Sequence, residues 1–276
     1  MIPNVLHFIF GLSEDFGGKP FSFIHYMAIW SAIIVNKPDD VIFHYQYEPS
    51  GEYWDMIKGQ ITLNKLEPPS EIHGNKLFHV AHKADIIRLQ ALYKTGGIYL
   101  DADTISIKAL NIFRSHSFAI GQELEIPVEY TLNEKVNKMI RHATLRPFRV
   151  NIAGLCNAVM LAEPGAPFIE HWLESYKTFR SNGNDQYWGE HSVLVPYRLS
   201  KEHPELVHKI SPFAFHYPIH NATGLQWLFE KSTVFPTAYV HHLWESASWD
   251  KYLKHLNVEV VLTKNTTYNL LARKYL

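Results

Sequence analysis

The chain has 276 residues, a formal net charge of −1 and 46% apolar side chains, which suits one large globular domain with a sizeable core. Near-neutral charge excludes the strong basic excess of a nucleic-acid binder. The single cysteine, Cys156, excludes a disulfide framework and a zinc site built on cysteine pairs. It fits a reducing compartment and, inside Leu155-Cys156-Asn157-Ala158-Val159, reads as a buried, inert thiol.

Met1-Ile2-Pro3-Asn4 lacks the basic and apolar regions of a signal peptide. No apolar run reaches the roughly 18 residues needed to span a bilayer. The nearest, residues 24–35, is interrupted by His25 and Ser31 and reads as a packed helix. A cytoplasmic protein without a transmembrane span is the expectation. Residues 5–10 form a short apolar run ending at Gly11, a first buried strand. Gly17-Gly18-Lys19-Pro20 breaks the chain before a helix over 21–34, and 41–45 reads as a second strand. A polar connection runs from 47 to 75. Residues 79–93 have helical spacing, with Val80, Ala84, Ile87 and Ala91 on one stripe. Strands follow at 98–100, 118–121 and 158–162, then a helix over 167–179. Alternation of strand and helix predicts an α/β fold with a mostly parallel central sheet flanked by helices, Rossmann-like, whose ligands bind beyond the carboxyl ends of the strands.

The strand at 98–100 leads into Asp101-Ala102-Asp103. Strand side chains alternate, so the two carboxylates are expected to point the same way. Paired carboxylates at a sheet edge are a seat for Mg²⁺ or Mn²⁺, which take hard oxygen ligands and share their shell with substrate phosphates. On the preceding helix Asp85 and Arg88 are three apart and share a face. Either they form a solvated ion pair, or they sit beside Asp101 and bind sugar hydroxyls.

Ala84-Asp85-x-x-Arg88 followed by Gly96-Gly97-Ile98-Tyr99-Leu100-Asp101-Ala102-Asp103 resembles the signature of the DXD-containing sugar transferases of glycosyltransferase family 32. It also resembles the catalytic domain of the large clostridial-type glucosylating toxins. The close match covers residues 76–105. The opening Ile2-Pro3-x-x-x-His7-x-x-Phe10 is similar to the family's first strand, with Phe10 where the family usually has Trp. Asn157-Ala158-Val159-Met160-Leu161-Ala162 and His242-Leu243-Trp244 echo later family motifs.

The resemblance implies one GT-A catalytic domain over residues 1–276. It further implies a nucleotide-sugar donor, UDP-sugar being favoured, with Mn²⁺ or Mg²⁺, and hexosyl transfer with retention at the anomeric carbon by same-face attack. Asp103 would ligate the metal and Asp101 would touch the ribose or a metal-bound water. Asp85 and Arg88 would hold the sugar, with Asn157 beside it as a third catalytic residue. Ile9, Phe10 and Gly11 would frame the base. Tyr99, Ala102 and Trp249 complete the expected donor site. His242 is the expected third metal ligand, with Glu245 and Ser246 as rivals. The acceptor is expected to be a saccharide or lipid-linked glycan in surface polysaccharide synthesis, and a protein target, as for the toxins, is the runner-up. Glu123, Glu125 and Glu129 read as a solvated acidic loop or as acceptor-side groups. The basic, apolar C-terminus either docks as a helix or touches an anionic membrane surface peripherally. Two other readings are a metal-dependent phosphohydrolase or nucleotidyltransferase, and a catalytically silent nucleotide-sugar-binding module.

Overall fold

In β1 (Val5–Ile9) Leu6 and Phe8 enter one hydrophobic core and Ile9 enters another, and this alternation decides the layering of the molecule. The computed structural model describes residues 1–125 and 151–276, so Glu129 lies outside the described residues. After β1 come α1 (Phe23–Asn36), β2 (Asp40–Tyr45), α2 (Glu52–Ile57), β3 (Thr62–Lys65) and the small hairpin of β4 (Glu71–Ile72) and β5 (Asn75–Lys76). Next are α3 (Val80–Thr95), β6 (Gly97–Leu100), β7 (Thr104–Ser106), β8 (Phe118–Leu124) and β9 (Ile152–Ala162). Further on lie the helix Pro167–Ser175, β10 (His208–Ile210) and β11 (Val240–His242).

Among the described residues seven strands form one sheet in the order β10-β8-β9-β6-β1-β2-β3. All neighbours pair in parallel except β9, which runs against both β6 and β8. Ile98, Leu100, Val159 and Leu161 face the core built with α1, while Tyr99, Met160 and Ala162 face the core built with α3 and the helix Pro167–Ser175. Helices cover both faces, so β6 and the 158–162 end of β9 are apolar without interruption, as the mostly parallel α/β reading requires.

Two glycines fix the passage from α3 into the sheet. Gly96 ends the helix at φ +66°, its N–H bonded to Leu92 O at 2.8 Å. Gly97 sits at φ +118°, where a Cβ would lie 2.5 Å from Val5 O. The carbonyl of Gly96 accepts from His7 Nε2 at 2.9 Å, which leaves His7 Nδ1 to accept from His44 Nε2 at 3.0 Å. His44 Nδ1 in turn accepts from Asn64 Nδ2 at 2.7 Å. This chain of neutral rings ties the end of α3 to β1, β2 and β3. Burial, with the neighbouring His7, pushes His44 down to about 4.

The stretch 47–75 is not merely a polar connection: it holds α2, β3 and the hairpin. Every residue of β3 is exposed, so this edge strand shows no apolar alternation to read. β9 begins earlier than expected and reverses direction. At the C-terminus, Tyr268 and Ala272 are buried, Trp30 Nε1 donates to Tyr275 O at 3.0 Å and Tyr275 OH donates to Ser106 O at 2.7 Å. The tail is therefore docked against α1 and β7. Among the described residues no helix is long and apolar enough to cross a membrane.

We expect Gly97→Ala to lower stability by about 1–3 kcal/mol in chemical denaturation, because the side chain meets the β1 backbone at a strained φ. A second expectation concerns pH. A histidine whose folded pKa is depressed adds stability at neutral pH that is lost as pH falls from 6.5 towards 4, because the unfolded chain takes the proton first. Between pH 7 and 5 His44 should account for on the order of 1–2 kcal/mol of lost stability. The melting temperature of His44→Gln should fall less over that range than wild type.

Candidate active site

The two carboxylates are brought together by a turn. β6 ends at Leu100, and Ala102 and Asp103 form the turn into β7. The expectation that strand alternation aligns them is thus corrected. Asp101 N donates to Ala158 O at 2.9 Å and Thr104 Oγ1 closes the turn on Asp101 O at 2.8 Å. β7 pairs with β11 in a separate antiparallel ribbon that sets His242 opposite Thr104. His242 Nε2 then lies 3.4 Å from Asp103 Oδ2 and 4.0 Å from Asp101 Oδ2. One ligand atom from each of Asp101, Asp103 and His242 falls within 4.8 Å of the other two. Two carboxylates and an imidazole are a donor set that fits Mn²⁺. His241, one residue earlier, points elsewhere and donates from Nδ1 to Tyr217 O at 2.9 Å.

Behind Asp101 stands Arg88, 6% exposed, with Asp85 beside it at 5%. Arg88 Nη1 reaches Asp101 Oδ1 at 3.0 Å, Asn157 O at 3.0 Å and Asn157 Oδ1 at 3.1 Å, and Nη2 reaches Asp85 Oδ1 at 3.5 Å. Asn157 Nδ2 donates to Asp85 Oδ1 at 2.8 Å. The solvated-pair reading of Asp85 and Arg88 is therefore excluded. Cα pairing between β8 and β9 jumps from Ile120↔Met160 to Gly121↔Cys156, leaving residues 157–159 of β9 unpaired on that side, and this irregularity sets Asn157 beside Arg88. Tyr99 is fully buried under the guanidinium, 4.5 Å from ring centre to Cζ, and donates its hydroxyl to Asp101 Oδ1 at 2.6 Å. It positions Asp101 from behind, not from the open side expected of a donor contact.

Asp103 is held from a different direction. Its Oδ2 accepts the backbone N–H of Glu245 at 2.6 Å. The preceding residue, Trp244, adopts φ +57°, a conformation rare for a bulky side chain, fixed by its Nε1 donating to Pro218 O at 2.8 Å. The Glu245 carboxylate turns away to His25 Nε2 at 3.0 Å and Lys19 Nζ at 3.4 Å. Ser22 N–H occupies His25 Nδ1 at 2.9 Å, so His25 donates from Nε2. Of the three candidates, His242 is the one whose side chain lies against both carboxylates, while Glu245 offers Asp103 its N–H and Ser246 is exposed.

Burial works to raise Asp103, yet the charge and hydrogen bond of His242 and the Glu245 N–H hold it down to about 2. Burial raises Asp101 against the pull of Arg88. His242 is lowered by burial but raised more by Asp103 and Asp101, so it stands above its ordinary value. Burial likewise pushes the Cys156 thiol well up.

The other residues expected around the donor are buried or half-buried. Phe10 is half-buried at the end of β1, stacked on Phe16 at 5.7 Å and close to His25 at 4.6 Å, so one ring face is already covered. Ile9 and Ala102 are buried. Gly11 takes φ +70° with its Cβ position 2.3 Å from Tyr47 O. Trp249 is half-buried near His25 and Lys19. Glu123 lies in β8, not in a solvated loop, and burial raises its carboxyl against the pull of His242. Glu125 follows the strand and is exposed. Sequence reasoning missed Lys19 and His25; the signal for His25 was its place three residues after the helix cap Ser22.

The pattern of the family described as "Glycosyltransferase sugar-binding region containing DXD motif" matches residues 31–119. Glucan organizing enzyme 1 of Cryptococcus neoformans var. grubii is 32% identical over 282 residues, spanning 100% of this chain and 71% of that protein. The chain belongs to the DXD-motif glycosyltransferases. The fold agrees: the glycosyltransferase GlyE of Streptococcus pneumoniae TIGR4 superposes with a TM-score of 0.50 at 12% identity, over 100% of this chain and 63% of that one. Mouse xyloside xylosyltransferase 1 gives a TM-score of 0.49 at 15% identity, over 90% and 99%.

Arg88→Met should remove the cation that buried Asp85 and half-buried Asp101 share. We expect a loss of about 3–5 kcal/mol in urea unfolding, far beyond that of an exposed ion pair.

Proposed function

We propose that this protein is a metal-dependent, retaining hexosyltransferase of the family 32 type, moving a sugar from a UDP-sugar to a glycan or lipid-linked saccharide, with residues 1–276 serving one catalytic domain. The observation that carries the reading is the Asp101–Asp103–His242 cluster at the mouth of the sheet, backed by buried Arg88. The name of the Cryptococcus relative concerns a glucan, which supports a polysaccharide acceptor.

A bound Mn²⁺ or Mg²⁺ would neutralise charge developing on the departing diphosphate, a transition-state effect more than a ground-state one. Asp103 and His242 would hold the cation, and Asp101 would lie towards it or the ribose. Asp103 stays ionised throughout the physiological range because its pKa is held near 2. Arg88, Asp85 and Asn157 form a rigid wall that fixes Asp101 and frames the donor sugar. Phe10 and Trp249 cover the nucleotide. Retention by same-face attack follows from the resemblance, and no carboxylate among the described residues is nominated as a nucleophile.

Asp103→Asn keeps an oxygen to accept the Glu245 N–H but loses the charge. Transfer from UDP-sugar in the presence of Mn²⁺ should fall by about 10²-fold or more while the melting temperature stays close to wild type. A folded, fully active variant would remove the assignment. In a thermal-shift screen, UDP-sugars should stabilise the wild type with Mn²⁺ and not in EDTA, because a ligand bound only by the folded state raises its stability by mass action. Hydrolysis of a generic phosphodiester in preference to UDP-sugar would favour the phosphohydrolase reading instead.

A further inference from the structure

Beside the carboxylate cluster, two more ligating side chains meet its histidine at one point. Cys156 of β9, His216 just after the helix Pro212–Phe215, and His242 each bring a ligand atom within 4.8 Å of the other two. Cys156 is 6% exposed and His216 is 0% exposed. Gly121 opposes Cys156 across β8 and β9, and the His216 ring rests on it: a Cβ there would stand 2.5 Å from His216 Nε2. The absent side chain is what lets the imidazole reach the sheet at the level of the thiol. Yet His216 Nδ1 and Nε2, and His242 Nδ1, have no hydrogen-bond partner among the described residues. A buried imidazole with both nitrogens unpaired is a cost that folded cores rarely carry. No step of sugar transfer uses Cys156 or His216.

We propose that Cys156, His216 and His242 form a second metal site that takes Zn²⁺ in preference to Mn²⁺ or Mg²⁺. A thiolate and two imidazoles are the softer donor set that zinc accepts with tetrahedral geometry, and three protein ligands leave a fourth position open. Binding converts the Cys156 thiol to a zinc-bound thiolate and releases one proton to solvent. His242 belongs to both clusters. Neutral imidazole has a single lone pair, so a ring nitrogen given to zinc leaves the other carrying the proton. Zinc on Nδ1 therefore leaves Nε2 protonated towards Asp103, so His242 no longer offers a lone pair to a cation between Asp101 and Asp103, and the protein acquires an inhibitory zinc site. That coupling rests on the proposed Mn²⁺ seat; the zinc site itself does not.

Titration of the metal-free full chain with Co²⁺, read by the thiolate-to-cobalt charge-transfer absorption, tests the site. Wild type and Asp103→Asn should both develop the band, and Zn²⁺ should bleach it. Cys156→Ser should lack the band, with Cys156→Ala used if the serine variant does not melt cooperatively. His216→Gln should bind Co²⁺ roughly tenfold or more weakly. A folded wild type without the band, or unchanged affinity in folded His216→Gln, overturns the site. Coupling is read by electron paramagnetic resonance of free Mn²⁺: zinc should weaken Mn²⁺ binding roughly tenfold or more in wild type and not in Cys156→Ser. Unchanged Mn²⁺ affinity with zinc bound overturns the coupling. No Mn²⁺ binding by zinc-free wild type, with the cobalt band present, overturns the Mn²⁺ seat and upholds the zinc site.

Discussion

Arg88 is a permanent cation in the interior, and the site is arranged around its neutralisation. A guanidinium does not shed its proton to escape burial, so it needs anions and carbonyls at hydrogen-bond distance. Asp101, Asp85 and the Asn157 carbonyl supply them, joining α3, the turn after β6 and the irregular middle of β9. Satisfying that buried charge also fixes the orientation of Asp101. One Asp101 oxygen is taken by Arg88 and Tyr99, which leaves the other turned towards His242.

The second half of the site reaches Asp103 independently. Glu245 lies 142 positions from Asp103, yet its N–H holds the carboxylate while its side chain is anchored by His25 and Lys19. The β7–β11 ribbon delivers His242 at the same level. The C-terminal third thus reaches Asp103 Oδ2 twice, and the N-terminal segment braces it through the Glu245 carboxylate. Such a centre tolerates little displacement, since each support is itself fixed by packing or by a hydrogen bond.

Individual elements show how legibility varied. The run 98–100 and the paired glycines were readable because burial on both faces leaves an apolar strand, and a helix exit into close-packed backbone demands residues without a Cβ. The Asp-x-Asp pair is legible as a motif and its two carboxylates do meet, although a turn and not strand pleating aligns them. Asp85 and Arg88 were open to a solvated reading because periodicity counts apolar residues and is silent on buried charge. β3 escaped notice because an exposed edge strand has no hydrophobic face. Cys156 was legible as buried, but its two histidine neighbours were not.

By itself the amino-acid sequence determined the α/β layering and the position of the acidic pair at the carboxyl end of an apolar strand. These follow from short-range patterns of apolar residues, glycines and carboxylates. Only the tertiary structure decided that His242 and not Glu245 or Ser246 faces the carboxylates, that Tyr99 works from behind, and that His216 and Cys156 share a point with His242. Those contacts join residues far apart along the chain, and their distances come from how strands pair and loops close, which no local periodicity encodes.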